Sequence, residues 1–147
     1  MSIIEKNRNF ISINIAVLTI SDTRNFTNDT SGDFLEKKII ELGHKLYDRQ
    51  IIKDDLDLIK KTLLSLSSID LVDVIITTGG TGLTGRDSTP EAIQQIADKN
   101  IEGFGELFRQ ISYETIGPSS IQSRAMGAIV DGTYIFAIPG STNACKD

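Results

Sequence analysis

The sequence predicts an α/β fold in which a mostly parallel sheet is covered by helices on both faces. Three observations carry this. Residues 13–20 (INIAVLTI) and 72–78 (VDVIITT) are apolar runs rich in β-branched residues, and they do not alternate with polar ones, as suits strands buried on both sides. The segments between such runs place apolar residues at helical spacing. The order strand, helix, strand, helix, strand, helix then requires crossover connections, which a parallel sheet accommodates. With 147 residues and neither an internal repeat nor a low-complexity segment, the chain reads as one domain over residues 1–147.

The first strand stops at Ser21-Asp22-Thr23, and a polar stretch runs to Gly32. From Asp33, the residues Leu35, Ile39 and Leu42 share one helical face, and Gly43 is placed to end that helix. Residues 45–52 form a second strand. Asp54-Asp55 opens a second helix, with Asp54 suited to cap it and Leu56, Ile59, Leu63 and Leu66 as its stripe. The third strand leads into a loop over residues 79–88. Thr89 is suited to cap a third helix and Pro90 to be its first residue. Phe104, Leu107, Phe108 and Ile111 predict a further helix, and residues 120–126 a short one. Asp131-Gly132 between residues 128–130 and 133–138 is a two-residue hairpin signal. Pro139-Gly140-Ser141 starts a last helix, and the chain stops at Asp147 where that helix would gain its apolar face. This predicts a C-terminal helix that continues past Asp147.

The totals exclude several classes. The net charge is −5 with scattered basic residues, whereas a nucleic-acid binder needs a dense positive face. No segment reaches membrane-spanning length, and residues 1–12 lack the apolar core of a signal peptide. The single cysteine, Cys145, cannot form an internal disulfide and has neither a second cysteine nor a nearby histidine for zinc or thiol catalysis. A cytoplasmic location is expected. His44, after the helix-ending glycine, reads as a surface residue.

In a parallel sheet the loops after the strands share one rim, and ligands bind there. The unusual residues fall in those loops: Ser21 and Asp22 after the first strand, Asp54 after the second, Thr78-Gly79-Gly80-Thr81-Gly82 after the third, and Pro139, Gly140 and Ser141 after the last. Bare glycine backbone lets a phosphate approach the amides, and Thr78 and Thr81 add hydroxyls. The same pattern also fits a tight turn, and it has neither Walker A nor dinucleotide-binding spacing. Asp87 precedes a helix and could simply complement its dipole, worth about 0.3–1 kcal/mol. Two carboxylates, Asp54 and Asp87, on the rim of a glycine loop can also hold Mg²⁺ together with substrate phosphates. Arg86 can neutralise a transferred phosphoryl group or pair with a neighbouring acid. Ser21 and Asp22 can bind a heterocycle edge or make a local turn. Arg124 reads as a structural tie between a helix and its neighbour.

The pieces AVLTISD (16–22), DTSGDFL (29–35), TTGGTGLTGRDSTPEA (77–92), EGFGELFR (102–109), SRA (123–125) and PGSTNAC (139–145) together resemble the molybdenum-cofactor biosynthesis proteins B and G, the MoaB/Mog family, with the last piece closer to the B branch. The resemblance covers nearly the whole chain. It implies a three-layer α/β/α fold, assembly as a homo-trimer or hexamer, and adenylylation of molybdopterin by MgATP before a partner enzyme inserts molybdate. It further implies that Thr78, Gly80 and Thr81 bind the molybdopterin phosphate, that Asp54 and Asp87 are the functional carboxylates, and that Pro139, Gly140 and Ser141 border the pterin or nucleotide pocket.

Three readings follow from sequence: an adenylyltransferase using molybdopterin and ATP, a non-catalytic molybdopterin-binding scaffold, or a nucleotide hydrolase on the same fold. Product analysis separates them, because adenylyl transfer needs both substrates and a hydrolase needs no pterin.

Overall fold

The computed structural model describes residues 8–147, so the reading of residues 1–7 as lacking a leader lies outside the described residues. In chain order the elements are β1 (Asn14–Ile20), α1 (Thr30–Glu41), β2 (Lys45–Ile52), α2 (Leu56–Ser67), β3 (Val74–Thr78), α3 (Thr89–Ile96), β4 (Lys99–Ile101), α4 (Glu102–Ile116), β5 (Met126–Val130), β6 (Thr133–Ile138) and α5 (Thr142–Lys146). A 3-10 helix over Gly117–Gln122 joins α4 to β5. The sheet order is β2-β1-β3-β6-β5-β4. β1 is parallel to β2 and β3, and β3 is parallel to β6, whereas β5 runs antiparallel to both its neighbours.

Side chains alternate across β1 and feed two different cores. Ala16, Leu18 and Ile20 pack with Ile59, Leu63 and Leu66 of α2 and with Ala92 and Ile93 of α3. Ile15 and Val17 face the other way, onto Leu35 and Ile39 of α1, Phe108 of α4 and Ala144 of α5. A strand with period two that is buried on both faces leaves little place for polar residues, threonines such as Thr19 apart, which explains the nearly unbroken run in the sequence. The result is the expected three-layer α/β/α architecture. Among the described residues no helix is long and apolar enough to cross a membrane.

The local predictions hold in most places and fail in instructive ones. Gly43 lies at φ +85° just past the Leu42 cap, as expected of a helix-ending glycine. Asp131 and Gly132 both have positive φ (49° and 79°), the conformation a tight hairpin turn needs. By contrast, Asp54 does not cap α2; Asp55 does, accepting from the Leu58 amide at 2.8 Å. Thr89 is not a cap either. It is the first residue of α3, Ser88 occupies the cap position without a side-chain bond to the helix backbone, and Pro90 follows in the first turn. The helix expected over residues 120–126 is the 3-10 helix instead, ending at an extended Ser123, and Met126 already belongs to β5. Pro118 at its start supplies no amide, so the segment stays a short, tight turn. β4 was not foreseen, since three largely exposed residues on a sheet edge carry no periodic signal.

α1 starts at Thr30, three residues before its first expected residue, because Asp29 provides an internal cap. The Asp29 carboxylate is fully buried. It accepts from the Gly32 amide (3.0 Å) and the Thr19 hydroxyl (2.7 Å), and it pairs with Arg49 Nη2 (3.0 Å). Arg49 also reaches Asp33 (2.8 Å) and Glu36 (2.9 Å), which fastens α1 to β2. Burial pushes the Asp29 carboxyl up, but the Gly32 amide, the Thr19 hydroxyl and Arg49 outweigh it and hold the group below its ordinary 3.8.

Asp29→Ala should therefore lower stability by about 3 kcal/mol at neutral pH, because it leaves a buried guanidinium short of a partner. A depressed folded-state pKa contributes stability that is complete above the unfolded value and is lost as pH falls through the folded one. The gap between wild type and variant in urea melts should thus be full at pH 5 to 8 (roughly) and close below 3.8; equal melts at neutral pH would refute the role. Thr77 gives the opposite case. Its side chain is fully buried and its hydroxyl has no hydrogen-bond partner among the described residues. Thr77→Val should stabilise by about 1 kcal/mol, read from the same melts, since it removes a desolvation cost and no bond.

Candidate active site at the carboxyl rim of the sheet

The parallel strands β1, β2, β3 and β6 end at one rim, and their loops meet there. The β3 loop turns away at Gly79 and Gly80, with φ of +102° and +68°. A Cβ at Gly79 would lie 2.2 Å from the Ile20 carbonyl oxygen, and one at Gly80 would lie 2.2 Å from Thr89 Oγ1. Both glycines are thus required by backbone conformation and by space. A Cβ on Gly140 would come 3.2 Å from the Gly79 Cα, so the β3 and β6 loops touch backbone to backbone.

Beside this loop lies a cleft of about 400 Å³. The sequence-predicted residues Gly79, Gly80, Thr81, Gly82, Asp87, Pro139 and Gly140 form one part of its wall. Ile116, Ser119, Gln122 and Ser123, from the end of α4 and the 3-10 segment, form the other part. Sequence reasoning missed this second group. They are distant in sequence from the strand-end loops, and their only signal was the SRA motif, which begins at Ser123.

Within the loop the backbone is unevenly satisfied. The Gly79 amide donates to the Ile138 carbonyl (3.1 Å), extending the β3–β6 ladder by one step. The amides of Gly80 and Thr81 donate to no atom of the described residues, and neither does the Thr81 hydroxyl, although Thr81 is buried. Gly80 is half-buried, and polar groups that face a cleft can take their partner from solvent or a ligand. Here they border the cleft, as donors for an anion would.

Two carboxylates bracket the loop. Asp54 Oδ1 accepts from both the Ser88 hydroxyl (2.5 Å) and the Ser88 amide (3.1 Å). Its Oδ2 is turned to Gly80, where it would lie 3.0 Å from a Cβ. Asp87 packs in the same way against Gly82, 2.7 Å from the position of a Cβ there. The Thr84 hydroxyl (2.6 Å) and the Thr84 amide (3.0 Å) bond Asp87 Oδ2. The Thr84 hydroxyl above all, with the Thr84 and Gly82 amides and nearby Arg124, holds the Asp87 carboxyl below its usual range despite partial burial.

The remaining predicted residues occupy the rim but do not line the cleft. Ser21 Oγ accepts from the amides of Thr23 (3.2 Å) and Arg24 (3.1 Å), a local turn. Asp22 pairs with exposed Arg86 and accepts from the Asp54 amide (3.2 Å). The Arg86 bond is the main reason the Asp22 carboxyl lies below its usual range. The Thr78 hydroxyl donates to the Pro139 carbonyl (3.1 Å), tying the two loops together. Ser141 caps α5 by accepting from the Ala144 amide (3.1 Å). Cys145 sits 3.8 Å from Thr78 Oγ1, and burial pushes its thiol above the usual range, which makes it a poor nucleophile. His44 accepts from the Ile13 amide and its ring lies tilted against that of Phe10, away from the rim.

Fold and rim together define an α/β domain of the small-molecule-binding class, with its cleft outside the carboxyl ends of parallel strands. Residues 16–147 match the family described as a probable molybdopterin binding domain. The chain is 44% identical over 137 residues to molybdenum cofactor biosynthesis protein B of Escherichia coli K12, covering 93% of this chain and 81% of that protein. It is 46% identical over 131 residues to the Bacillus cereus protein of the same name, covering 88% and 78%. A crystal structure of a molybdenum cofactor biosynthesis protein B superposes with a TM-score of 0.90 at 42% identity, covering 95% of this chain and 87% of the other. The tungsten cofactor synthesizing protein MoaB from Pyrococcus furiosus gives 0.81 at 34% identity, with 92% and 86% covered. The chain belongs to this family of molybdenum cofactor biosynthesis proteins.

The glycine geometry yields a paired test. Gly80→Ala should cost about 2 kcal/mol, since it combines positive φ with a clash against Thr89. Gly103→Ala, within α4 and with open space at its Cβ, should be neutral or stabilising by about 0.5–1 kcal/mol. Thermal melts of the two variants check both; a harmless Gly80→Ala would show that the loop is not held as described.

Proposed function

We propose that the protein works in molybdenum cofactor biosynthesis by binding molybdopterin and transferring to it the adenylyl group of ATP. The observation that carries this reading is the pair of unpartnered amides, Gly80 and Thr81, bordering a cleft between two carboxylates. Membership of a family described as molybdopterin-binding supports the substrate class.

In this reaction a terminal phosphate oxygen of molybdopterin attacks the α-phosphorus of ATP. The bond from that phosphorus to the β-phosphate bridging oxygen breaks, and pyrophosphate leaves. The nucleophile is already anionic, so the protein needs no strong general base; its task is alignment and relief of charge repulsion. The Gly80 and Thr81 amides and the Thr81 hydroxyl bind the pterin phosphate. Pro139 and Gly140 form the wall where the β6 loop meets the cleft. Ser119, Gln122 and Ser123 offer polar contacts to the heterocycle or nucleotide.

Mg²⁺ fits this donor set. Asp54 Oδ2 receives no hydrogen bond from the described residues, and Asp87 is held ionised. Among the described residues no group of three or more such ligands is present, so the ion would be held by Asp54 and Asp87 with substrate phosphates and water, as Mg²⁺ commonly is. It would neutralise charge on the reacting phosphates. The same reading includes a cytoplasmic location, assembly into three or six copies, and a partner enzyme that inserts molybdate.

Incubation with molybdopterin, ATP and Mg²⁺, followed by chromatography, should yield adenylyl-molybdopterin. Asp87→Asn should keep its fold and lose the activity by about 10²-fold or more, the scale on which electrostatic groups act on such steps, and Asp54→Ala should behave alike. Tight molybdopterin binding without product would establish the scaffold reading, and ATP turnover without pterin would establish the hydrolase.

A further inference from the structure

A trans peptide is planar, so the carbonyl of one residue and the amide of the next point in opposite directions. Fixing a carbonyl therefore fixes the direction of the following amide. In the glycine loop these carbonyls are held by two residues. Thr89 takes the first pair: its hydroxyl donates to the Gly79 carbonyl (2.9 Å) and its amide to the Gly80 carbonyl (3.1 Å). Arg124 takes the next pair: its Nε donates to the Gly82 carbonyl (2.8 Å) and lies 3.4 Å from that of Thr81. Its Nη2 donates to the Asp87 carbonyl (3.1 Å), and its Nη1 pairs with Glu91 of α3.

The consequence follows from peptide geometry. With these carbonyls turned toward Thr89 and Arg124, the amides of Gly80, Thr81, Gly82 and Leu83 are turned away from them. Neither Thr89 nor Arg124 lines the cleft, whereas Gly80, Thr81 and Gly82 do. One guanidinium thus spans both ends of the loop, binding the backbone beside Gly82 and beside Asp87. Lysine cannot reproduce this, since a planar fork with five donors reaches several acceptors at fixed angles and an ammonium is a point charge.

We infer that Arg124 is a positioning residue of the phosphate-binding loop. It acts through the Thr81–Gly82 and Gly82–Leu83 peptides and the Asp87 backbone: it fixes the chain just after the Gly80 and Thr81 amides and turns the Gly82 amide onto the Asp87 carboxylate, so that loop and carboxylate keep their places without Arg124 touching the substrate phosphate. The inference rests on the proposed role of the glycine loop, and it gives the SRA motif a function beyond joining one helix to its neighbour.

The test uses the full chain with inorganic phosphate as probe, followed by the amide resonances of Gly80 and Thr81, with thermal melts in parallel. The wild type should show saturable shifts at both amides. Arg124→Ala should bind phosphate about tenfold more weakly, the size of effect seen when an outer orienting group is lost, and low millimolar guanidinium should restore part of the affinity. Arg124→Lys should remain folded and stay weakened; if the alanine variant does not fold, this variant decides alone. In the adenylylation assay the KM for molybdopterin should rise while that for ATP stays within about twofold, a split that general destabilisation would not produce. Unchanged phosphate affinity in a folded Arg124 variant, or a loss that tracks the melting temperature and is not restored by guanidinium, overturns the inference and leaves the loop reading intact. Absence of shifts in the wild type overturns the loop reading itself, and this inference with it.

Discussion

Parallel pairing of β3 with β6 sets Thr78 opposite Ile138, and the rim depends on how the two strands leave that register. The ladder continues for one further bond, from the Gly79 amide to the Ile138 carbonyl. The strands then separate with Gly79 and Gly140 in near van der Waals contact. A Cβ on Gly140 would crowd Gly79, so the two loops approach each other over bare glycine backbone. The same approach brings Thr78 onto the Pro139 carbonyl and Ser31 of α1 onto the Gly140 carbonyl (2.8 Å). The wall of the cleft formed by the β3 and β6 loops is therefore a product of sheet register.

The electrostatic design follows from the same constraint. An acidic chain of net charge −5 gathers no basic patch at its cleft. Its conspicuous cations are already committed: Arg49 to Asp29, Asp33 and Glu36, Arg86 to Asp22, and Arg124 to Glu91 and loop carbonyls. What remains for an anion is the backbone, through amides whose carbonyl sides are anchored elsewhere. Such dipoles are held rigidly and cost little reorganisation when charge develops. On the proposed reading, the carboxylates beside them would bind a cation that arrives with the nucleotide.

Much of this was legible in the sequence. The two-sided apolar runs gave the layers, and Asp131-Gly132 gave the hairpin. The strand-end positions of Asp54, residues 78–82 and Pro139-Gly140 gave a rim before any coordinates. The failures share a cause. Asp54 and Thr89 have the composition of helix caps, but each is drawn off by a partner remote in sequence: Asp54 by Ser88, and Thr89 by Gly79. Local propensity cannot register a competitor ten or more residues away. The 3-10 segment was hidden for a related reason, since Ser119 and Gln122 carry no periodic signal and matter only because the fold sets them opposite the glycine loop.

The sequence by itself determined the layer order, the strand-end placement of the polar residues and the glycines without which the loop cannot turn. These are properties of period, of φ and of the missing Cβ, and each can be read within a few neighbouring residues. The tertiary structure decided which of those polar groups are free. Ser21, Thr78 and Ser141 spend their hydroxyls on turns, loops and caps, while the Gly80 and Thr81 amides are turned away from Thr89, which holds the Gly79 and Gly80 carbonyls of the same peptides. Whether a donor is spent or free depends on where its acceptor lies in space, and only the folded chain fixes that.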